Sequence, residues 1–200
     1  FAQPVGERGQ VLGVRDVELD DLEALRARGG AIQEVGAKAD GLGDVKFGAT
    51  SLFRVHIRAT TPNIADIERV EAQAGRYFNK SEDDSRRAVC FIGADVADKL
   101  FPTSEPLGQL IRVDGRSFQV IGVGKALGSV FGQPRDMYVA VPLSTFLAAY
   151  GSRRSLSVSV TSAGPQSYQD AIDEAKVVMR TRRNSPRAAT PASTSPPATG

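Results

Sequence analysis

Apolar and polar residues alternate along several short segments of the chain, which predicts strands with one buried and one wet face. Residues 54–58 show the pattern most clearly, with Val55 and Ile57 alternating against Arg54, His56 and Arg58. The other predicted strands are residues 11–17, 31–39, 88–92, 109–113, 117–123, 138–142 and 155–161. The strand that begins at residue 31 is expected to end in a turn at Asp40-Gly41.

The strongest local signal is a hairpin. Asp114-Gly115 separates two alternating apolar runs, residues 109–113 and 117–123. An Asp-Gly pair accepts the two positive φ angles of a type I′ turn, which joins antiparallel strands tightly. The sequence therefore predicts an antiparallel pair with its turn at these two residues.

Helical spacing and end signals predict five short helices, at residues 19–30, 63–70, 93–101, 144–150 and 164–182. The resulting order of strands and helices predicts an α+β fold of two nested units. Residues 1–62 and 154–182 are expected to form one α/β layer from both chain ends. Residues 63–153 are expected to form an inserted, smaller β-rich unit. Residues 183–200 are rich in Pro, Ala, Ser and Thr and are predicted to be a disordered tail.

The charge distribution argues against a nucleic-acid partner. The chain has 200 residues and a formal net charge of +2, yet four arginines and no acid lie between residues 180 and 200. The rest of the chain carries a slight excess of acid and no basic stripe with interleaved aromatics. No apolar run reaches the ~18 residues of a membrane span. The chain begins at Phe1 without a signal peptide, so we expect a processed or excised part of a longer protein.

No residue pattern marks a catalytic or metal centre. The single cysteine, Cys90, lies in an apolar run and is expected to be a small buried hydrophobe. The single histidine, His56, has no Cys or carboxylate at ligand spacing. The acidic run at residues 81–85 lacks the glycine and distal Glu of a calcium loop and is expected to be a solvated loop. The run Gly122-Val123-Gly124-Lys125 does not fit a phosphate-binding pattern, and its glycines are expected to let a strand bend. We therefore expect no enzyme activity, no cofactor and no metal, and no catalytic or partner-binding residue is assigned.

An ordered series of segments resembles one family. The series is Gly75-Arg76-Tyr77-Phe78, a polar acidic loop, residues 88–93 and 96–101, residues 105–113, residues 118–123 and residues 138–145. Together these segments are similar to the extracytoplasmic core domain of MacB-type ABC transporter permeases. Weaker similarity at residues 19–28 and 155–182 extends the resemblance over most of the chain.

The resemblance implies a porter-like α/β subdomain built from both chain ends and an inserted β-rich subdomain, looped out between two membrane helices of a permease. It implies a role in export or release of a substrate, driven by ATP hydrolysis in a separate nucleotide-binding domain and transmitted by domain motion. The implied partners are that ATPase, a second permease copy and a periplasmic adaptor protein. The implied location is the periplasmic or extracellular side of the bacterial cell membrane.

Two alternatives remain open at this point. The chain could be a stand-alone envelope-binding module of the same fold, which a full-length gene without flanking apolar segments would favour. It could instead be an enzyme that uses the His56 face or the Asp83 loop, which a metal or a deep polar pocket at those residues would favour. The burial and the spatial arrangement of these residues are needed to distinguish the hypotheses.

Overall fold

The computed structural model describes residues 14–17, 19–27, 30–130, 133–151, 156–162 and 167–184. The strands are β1 Val14–Val17, β2 Ile32–Phe47, β3 Thr50–Thr60, β4 Ala72–Gly75, β5 Val89–Ile92, β6 Leu110–Val113, β7 Arg116–Gly124, β8 Ser129–Val130, β9 Gln133–Pro134, β10 Tyr138–Pro142 and β11 Leu156–Ser162. The helices are α1 Leu19–Ala27, α2 Ile64–Ile67, α3 Lys80–Asp84, α4 Ala94–Leu100, α5 Leu143–Tyr150 and α6 Tyr168–Asn184.

One mixed sheet contains nine of these strands. Its order is β1-β11-β2-β3-β10-β5-β7-β4, and β6 pairs with both β2 and β7. The strands nearest the two chain ends, β1 and β11, are antiparallel neighbours, and β11 pairs with β2 in turn. The long strand β2 therefore pairs with β11 through its first half and with β3 over most of its length.

The pairings close a ring. β2, β3, β10, β5, β7 and β6 each pair with the next, and β6 returns to β2 at Val45–Val113 and Lys46–Arg112. Closing a sheet in this way removes the free edges of its member strands where they pair. The interior of the ring is filled by alternating apolar side chains, including Val45, Val55, Val120 and Val139.

The helices cover this sheet through their apolar faces. α1 buries Leu22 and Leu25, and α6 buries Ile172 and Ala175, as its predicted spacing requires. α4 packs on the same core, where the Phe101 ring lies 4.4 Å from the ring of Phe47. These helices and the mixed sheet make the fold α+β, which confirms the predicted class.

The predicted hairpin is present. β6 and β7 pair around Asp114 and Gly115, whose φ angles are +47° and +81°. The predicted turn at Asp40-Gly41 is wrong, because β2 continues to Phe47 and pairs Asp40 with Arg58 and Gly41 with Ile57. The chain turns instead at Gly48, whose φ is +54°. Unbroken inward alternation of small residues and valine from Ala37 to Val45 overrides the local turn preference of Asp-Gly.

Two other predictions meet different outcomes. The helix expected at residues 63–70 shrinks to Ile64–Ile67, and the Asn63 side chain donates to the Val35 carbonyl instead of capping it. The division into two nested units stays a prediction. The predicted tail lies outside the described residues, apart from the end of α6. No helix in the described ranges has both the length and the hydropathy needed to span a bilayer.

Candidate functional surface

The two side chains with the most reactive chemistry lie apart. His56 is exposed on the outer face of β3, while Cys90 is fully buried on the inner face of β5. β10 lies between these two strands. Burial raises the pKa of the Cys90 thiol far above its usual range, so the thiol stays protonated and unreactive at neutral pH. The expectation that Cys90 is a buried hydrophobe is confirmed.

Residues 81–84 of the acidic run lie in helix α3 and Ser85 follows its end, so the prediction of a solvated loop was wrong. Asn79 caps α3 by accepting a hydrogen bond from the Glu82 backbone N–H at 3.0 Å, and the Glu82 carboxylate accepts from the Asn79 N–H. This reciprocal capping box satisfies two backbone donors that a helix start leaves unpaired. The Asp83 carboxylate accepts hydrogen bonds from the Ser144 N–H and hydroxyl, which ties α3 to the start of α5.

These carboxylates therefore have structural partners. Within the described ranges, no group of three or more His, Cys, Asp or Glu side chains could hold a metal ion. The Asp83 loop, named above as one basis for an enzyme, is occupied by its contacts with Ser144. The arrangement joins α3 to α5 through Asp83 and Ser144.

Glu82 is the carboxyl group in this region whose pKa is shifted most strongly. Arg76 donates two hydrogen bonds to it, at 2.8 Å each, while the Glu82 side chain is almost fully buried. These bonds, together with that from the Asn79 backbone, lower the Glu82 pKa to about 2 against the cost of burial. A bidentate Arg–carboxylate pair of this kind is both strong and geometrically specific.

The Glu82→Gln variant tests this pair. Because the folded-state pKa lies below the unfolded value, the charge of Glu82 stabilises the fold above about pH 4.5. That contribution is lost as the pH falls through about 2. We expect the variant to lose about 2 kcal/mol of unfolding free energy at pH 7, since the pair with Arg76 is removed. Solvent screening of the half-exposed Arg76 limits the size of this loss. Urea unfolding between pH 7 and pH 2.5 should show the wild-type advantage shrinking with acid.

The matched control for that experiment is Asp84→Asn. Asp84 forms an exposed i,i+4 pair with Lys80 on the same helix, and such pairs contribute at most about 0.5 kcal/mol. A wild-type advantage over Glu82→Gln that stays constant down to pH 2.5 would contradict the role given to the Glu82 charge.

The glycine-rich run after the predicted hairpin serves packing. A Cβ atom at Gly122 would lie 2.3 Å from the Arg76 carbonyl oxygen, and one at Gly124 would lie 2.7 Å from the Tyr138 hydroxyl. Lys125 pairs with Glu71 at 2.7 Å. The glycines therefore let the segment around β4 and the side chain of Tyr138 approach β7 closely.

A second apolar cluster lies on the outer face of the ring. It consists of Phe78, Val89, Phe91, Tyr138 and Ala140, with Val70, Tyr77 and Ile121 packed against it. The segment that follows β4 covers it, since the Tyr77 ring stacks on Phe78 at 4.2 Å and lies 5.0 Å from Phe91. The Tyr77 hydroxyl lies 2.7 Å from the Thr60 hydroxyl, and burial raises the Tyr77 pKa. Tyr77, Phe78 and Phe91, which lie in segments that carry the family resemblance, are thus anchors of the fold.

Asp114, at the tip of the β6–β7 hairpin, joins three elements. Its carboxylate accepts a hydrogen bond from the Asp44 N–H at 2.8 Å and another from the Tyr150 hydroxyl at 3.0 Å. Its own N–H donates to the Asp44 carbonyl at 2.9 Å. β2, the hairpin and α5 are therefore held in one position relative to each other, which fixes the surface beside them.

That surface combines exposed apolar side chains with neighbouring cations. Phe53 on β3 is 70% exposed and Leu110 on β6 is 63% exposed. Between them, Lys46 on β2 is the direct cross-strand neighbour of Ser51 on one side and of Arg112 on the other. We call Lys46, Ser51, Phe53, Leu110 and Arg112 the β3–β2–β6 patch. Alternation along each strand places all five side chains on the outer face.

Sequence reasoning missed two of these features. The Asn79-x-x-Glu82 spacing is a capping-box pattern and could have been found by looking for a polar cap followed by Glu. The β3–β2–β6 patch could not have been found, because its residues come from three separate segments. Only the register of the strands brings them together.

Comparison with known proteins gives consistent matches. A family model described as MacB-like periplasmic core domain matches residues 2–178. The macrolide export ATP-binding/permease protein MacB of Bdellovibrio bacteriovorus is 27% identical over 175 residues, which cover 85% of this chain and 27% of that protein. The pyoverdine export ATP-binding/permease protein PvdT of Pseudomonas aeruginosa is 28% identical over 121 residues, which cover 60% of this chain and 18% of that protein.

Two solved structures share the fold. The extracellular domain of the noncanonic ABC-type transporter YknZ from Gram-positive bacteria superimposes with a TM-score of 0.74 at 20% identity, covering 86% of this chain and 87% of that one. The periplasmic region of MacB from Actinobacillus actinomycetemcomitans gives a TM-score of 0.68 at 18% identity, covering 86% of each chain. The matches to full-length relatives span about a quarter or less of those proteins.

Proposed function

This chain belongs to the MacB-like periplasmic core domain family, the extracytoplasmic domain of MacB-type ABC transporter permeases, and from that premise we propose that it couples ATP hydrolysis to export or release of a substrate. In this family the domain is non-catalytic. ATP is bound and hydrolysed by a separate nucleotide-binding domain or subunit. The domain works on the periplasmic side of the inner membrane, as part of a permease dimer that contacts a periplasmic adaptor protein.

The match of the family model over residues 2–178 carries this proposal. One relative matches 85% of this chain and is named for macrolide export. Another matches 60% of it and is named for pyoverdine export. Their names join an ATP-binding part and a permease part in one protein, which supports an ABC ATPase as partner. Because the two named cargoes differ, the proposal assigns export without assigning a cargo.

The architecture supports transmission by rigid-body motion. β1 and β11, nearest the chain ends, belong to the same sheet as the ring of six strands. The β6–β7 hairpin is held to β2 by Asp114 and to α5 through Tyr150. Displacement of the chain ends would therefore move the whole sheet, because close-packed interiors transmit strain instead of absorbing it.

The proposal predicts a nucleotide-dependent distance between two copies of the domain. In the full-length gene product, a spin label at Thr103→Cys, an exposed position after α4, reports the separation of the two copies. Cys90 is fully buried and its raised pKa keeps it unlabelled. We expect pulsed electron paramagnetic resonance to show a shift of several ångströms between the nucleotide-free and ATP-trapped states.

The control is a distance within one copy. Labels at Gln33→Cys and Thr103→Cys, both exposed, are placed on the same chain and diluted with unlabelled protein. Rigid-body motion leaves this distance unchanged between the two nucleotide states. Absence of a dimer signal, or identical inter-copy distances with and without ATP, would count against the proposed coupling.

A further inference from the structure

The β3–β2–β6 patch contains two cations that the fold does not use. Lys46 and Arg112 are direct neighbours across the β2–β6 pair, and both are exposed. Like charges directly opposite each other on antiparallel strands are destabilising. Over the described ranges, the ion pairs involve other lysines and arginines, at residues 38, 76, 80, 125 and 176. The pair therefore costs stability without a compensating partner inside the described chain.

The nearest carboxylate does not neutralise these cations by contact. Asp44 lies two residues before Lys46 on the same face of β2, but its carboxylate accepts a hydrogen bond from the Arg54 backbone N–H at 3.3 Å. Asp114 is held by Asp44 and Tyr150. Both acids therefore accept hydrogen bonds from other groups, and neither forms an ion pair with Lys46 or Arg112 in the described ranges.

Exposed apolar side chains lie on either side of the cations. Phe53 follows Ser51 on β3, and Leu110 precedes Arg112 on β6 by two residues, so both point to the same outer face. At 70% and 63% exposure they are the two most exposed large apolar side chains in the part of the chain that the structure describes. Aromatic residues and arginine are both enriched at protein–protein interfaces, and this outer face holds Phe53 on β3 and Arg112 on β6, with β2 between them.

We propose that the β3–β2–β6 patch binds an acidic protein partner, whose carboxylates meet Lys46 and Arg112 and whose apolar side chains pack on Phe53 and Leu110. A membrane surface fits less well, since recognition of anionic lipid uses clusters of four to eight basic residues. This patch has two, with Asp44 and Asp114 beside them. The proposal deepens the proposed function, because it assigns a surface to the partner contact on which that function rests.

The test places a photo-crosslinking amino acid at Phe53 in the full-length protein in its native cells. We expect irradiation to give an adduct with another protein, and mass spectrometry to map it to a segment rich in Asp and Glu. Lys46→Glu with Arg112→Glu should lower the adduct yield at least tenfold. The double variant replaces two facing positive charges with two facing negative charges. Because the repulsion across the strand pair is similar in both, the thermal midpoint should stay within about 2 °C of wild type.

The matched control makes the same change of charge elsewhere. Lys99→Glu with Arg69→Glu alters two exposed cations on α4 and after α2. This variant should keep the adduct within twofold of wild type. The crosslinker at Leu127, an exposed leucine beyond the far end of β7, should not give the same adduct.

Several outcomes would overturn the inference. One is an adduct that the Lys46→Glu/Arg112→Glu pair leaves unchanged, and another is an adduct with a segment lacking acidic residues or with a second copy of this chain. Patch-dependent binding of the purified protein to phosphatidylglycerol vesicles, with no protein adduct, would identify a lipid surface instead.

The spin-label distances of the full-length protein separate the two proposals. If the distances change with nucleotide but the charge-reversed variant keeps its adduct, the proposal for the patch is rejected and the coupling stands. If the charge reversal removes the adduct but the distances do not change with nucleotide, the coupling is rejected and the patch stands.

Discussion

Gly75→Ala should lower the stability of the domain by about 3–4 kcal/mol, which corresponds to a fall of roughly 10 °C in the thermal midpoint. Gly75 has a φ of +67°, where a Cβ atom is unfavourable by about 1–2 kcal/mol. An added Cβ would also lie 2.2 Å from the Ile121 carbonyl oxygen of β7 and 2.9 Å from the Gly122 Cα. Both neighbours are backbone atoms of the paired strand, so the clash is relieved only by moving β4 away from β7.

Gly48→Ala separates the two causes of this effect. Gly48 has a similar φ of +54°, but a Cβ there meets nothing within 4 Å. The control variant should therefore lose only the conformational part, about 1 kcal/mol. Thermal unfolding followed by circular dichroism measures both variants against wild type. Equal losses for the two variants would show that the close approach of β4 to β7 is not needed for stability.

Phe91→Ala should destabilise the domain by about 3–5 kcal/mol. Phe91 is fully buried in the outer-face cluster and contacts the Tyr77 ring at a centroid distance of 5.0 Å. It also supports the glycine-rich part of β7, because Gly122 and Gly124 approach its ring closely. Truncation leaves a cavity between β5 and the segment carrying Tyr77 that the ring of strands is too constrained to close.

The control for Phe91→Ala is Phe53→Ala. Both substitutions remove a benzyl group from a strand, but Phe53 is mostly exposed. We expect Phe53→Ala to change the unfolding free energy by no more than about 0.5 kcal/mol, as measured by urea denaturation. A large loss for Phe53→Ala would mean that this side chain serves the fold, and it would remove the reason to treat it as a contact residue.

Together these variants separate the residues of the fold from those available for contact. Gly75, Glu82 and Phe91 lie in the segments that resemble the family, and each has a packing or hydrogen-bonding role inside the domain. The side chains of Lys46, Phe53 and Arg112 are exposed, and no ion pair in the described ranges involves Lys46 or Arg112. Substitutions in the first group should lower stability, while those in the second should change partner contact at constant stability.

The sequence alone predicted those elements whose signals are local. Asp114-Gly115 specified its turn because only certain residues accept two successive positive φ angles. The apolar run around Cys90 indicated a buried strand because four consecutive apolar residues need cover on both faces. The ordered motifs from Gly75 onward indicated the family, and the family model matches residues 2–178.

Tertiary structure decided whatever depends on residues distant in the chain. The Asp40-Gly41 signal did not produce a turn. Pairing with β3 and the burial of the inward-facing side chains of β2 hold this segment extended. The contact of the acidic run at residues 81–85 with Ser144, which is 61 residues from Asp83, is not revealed by local charge density. The β3–β2–β6 patch exists only because β6 returns to β2 and closes the ring. Turn chemistry and hydrophobic periodicity act over a few residues, whereas register and burial are set by the whole sheet.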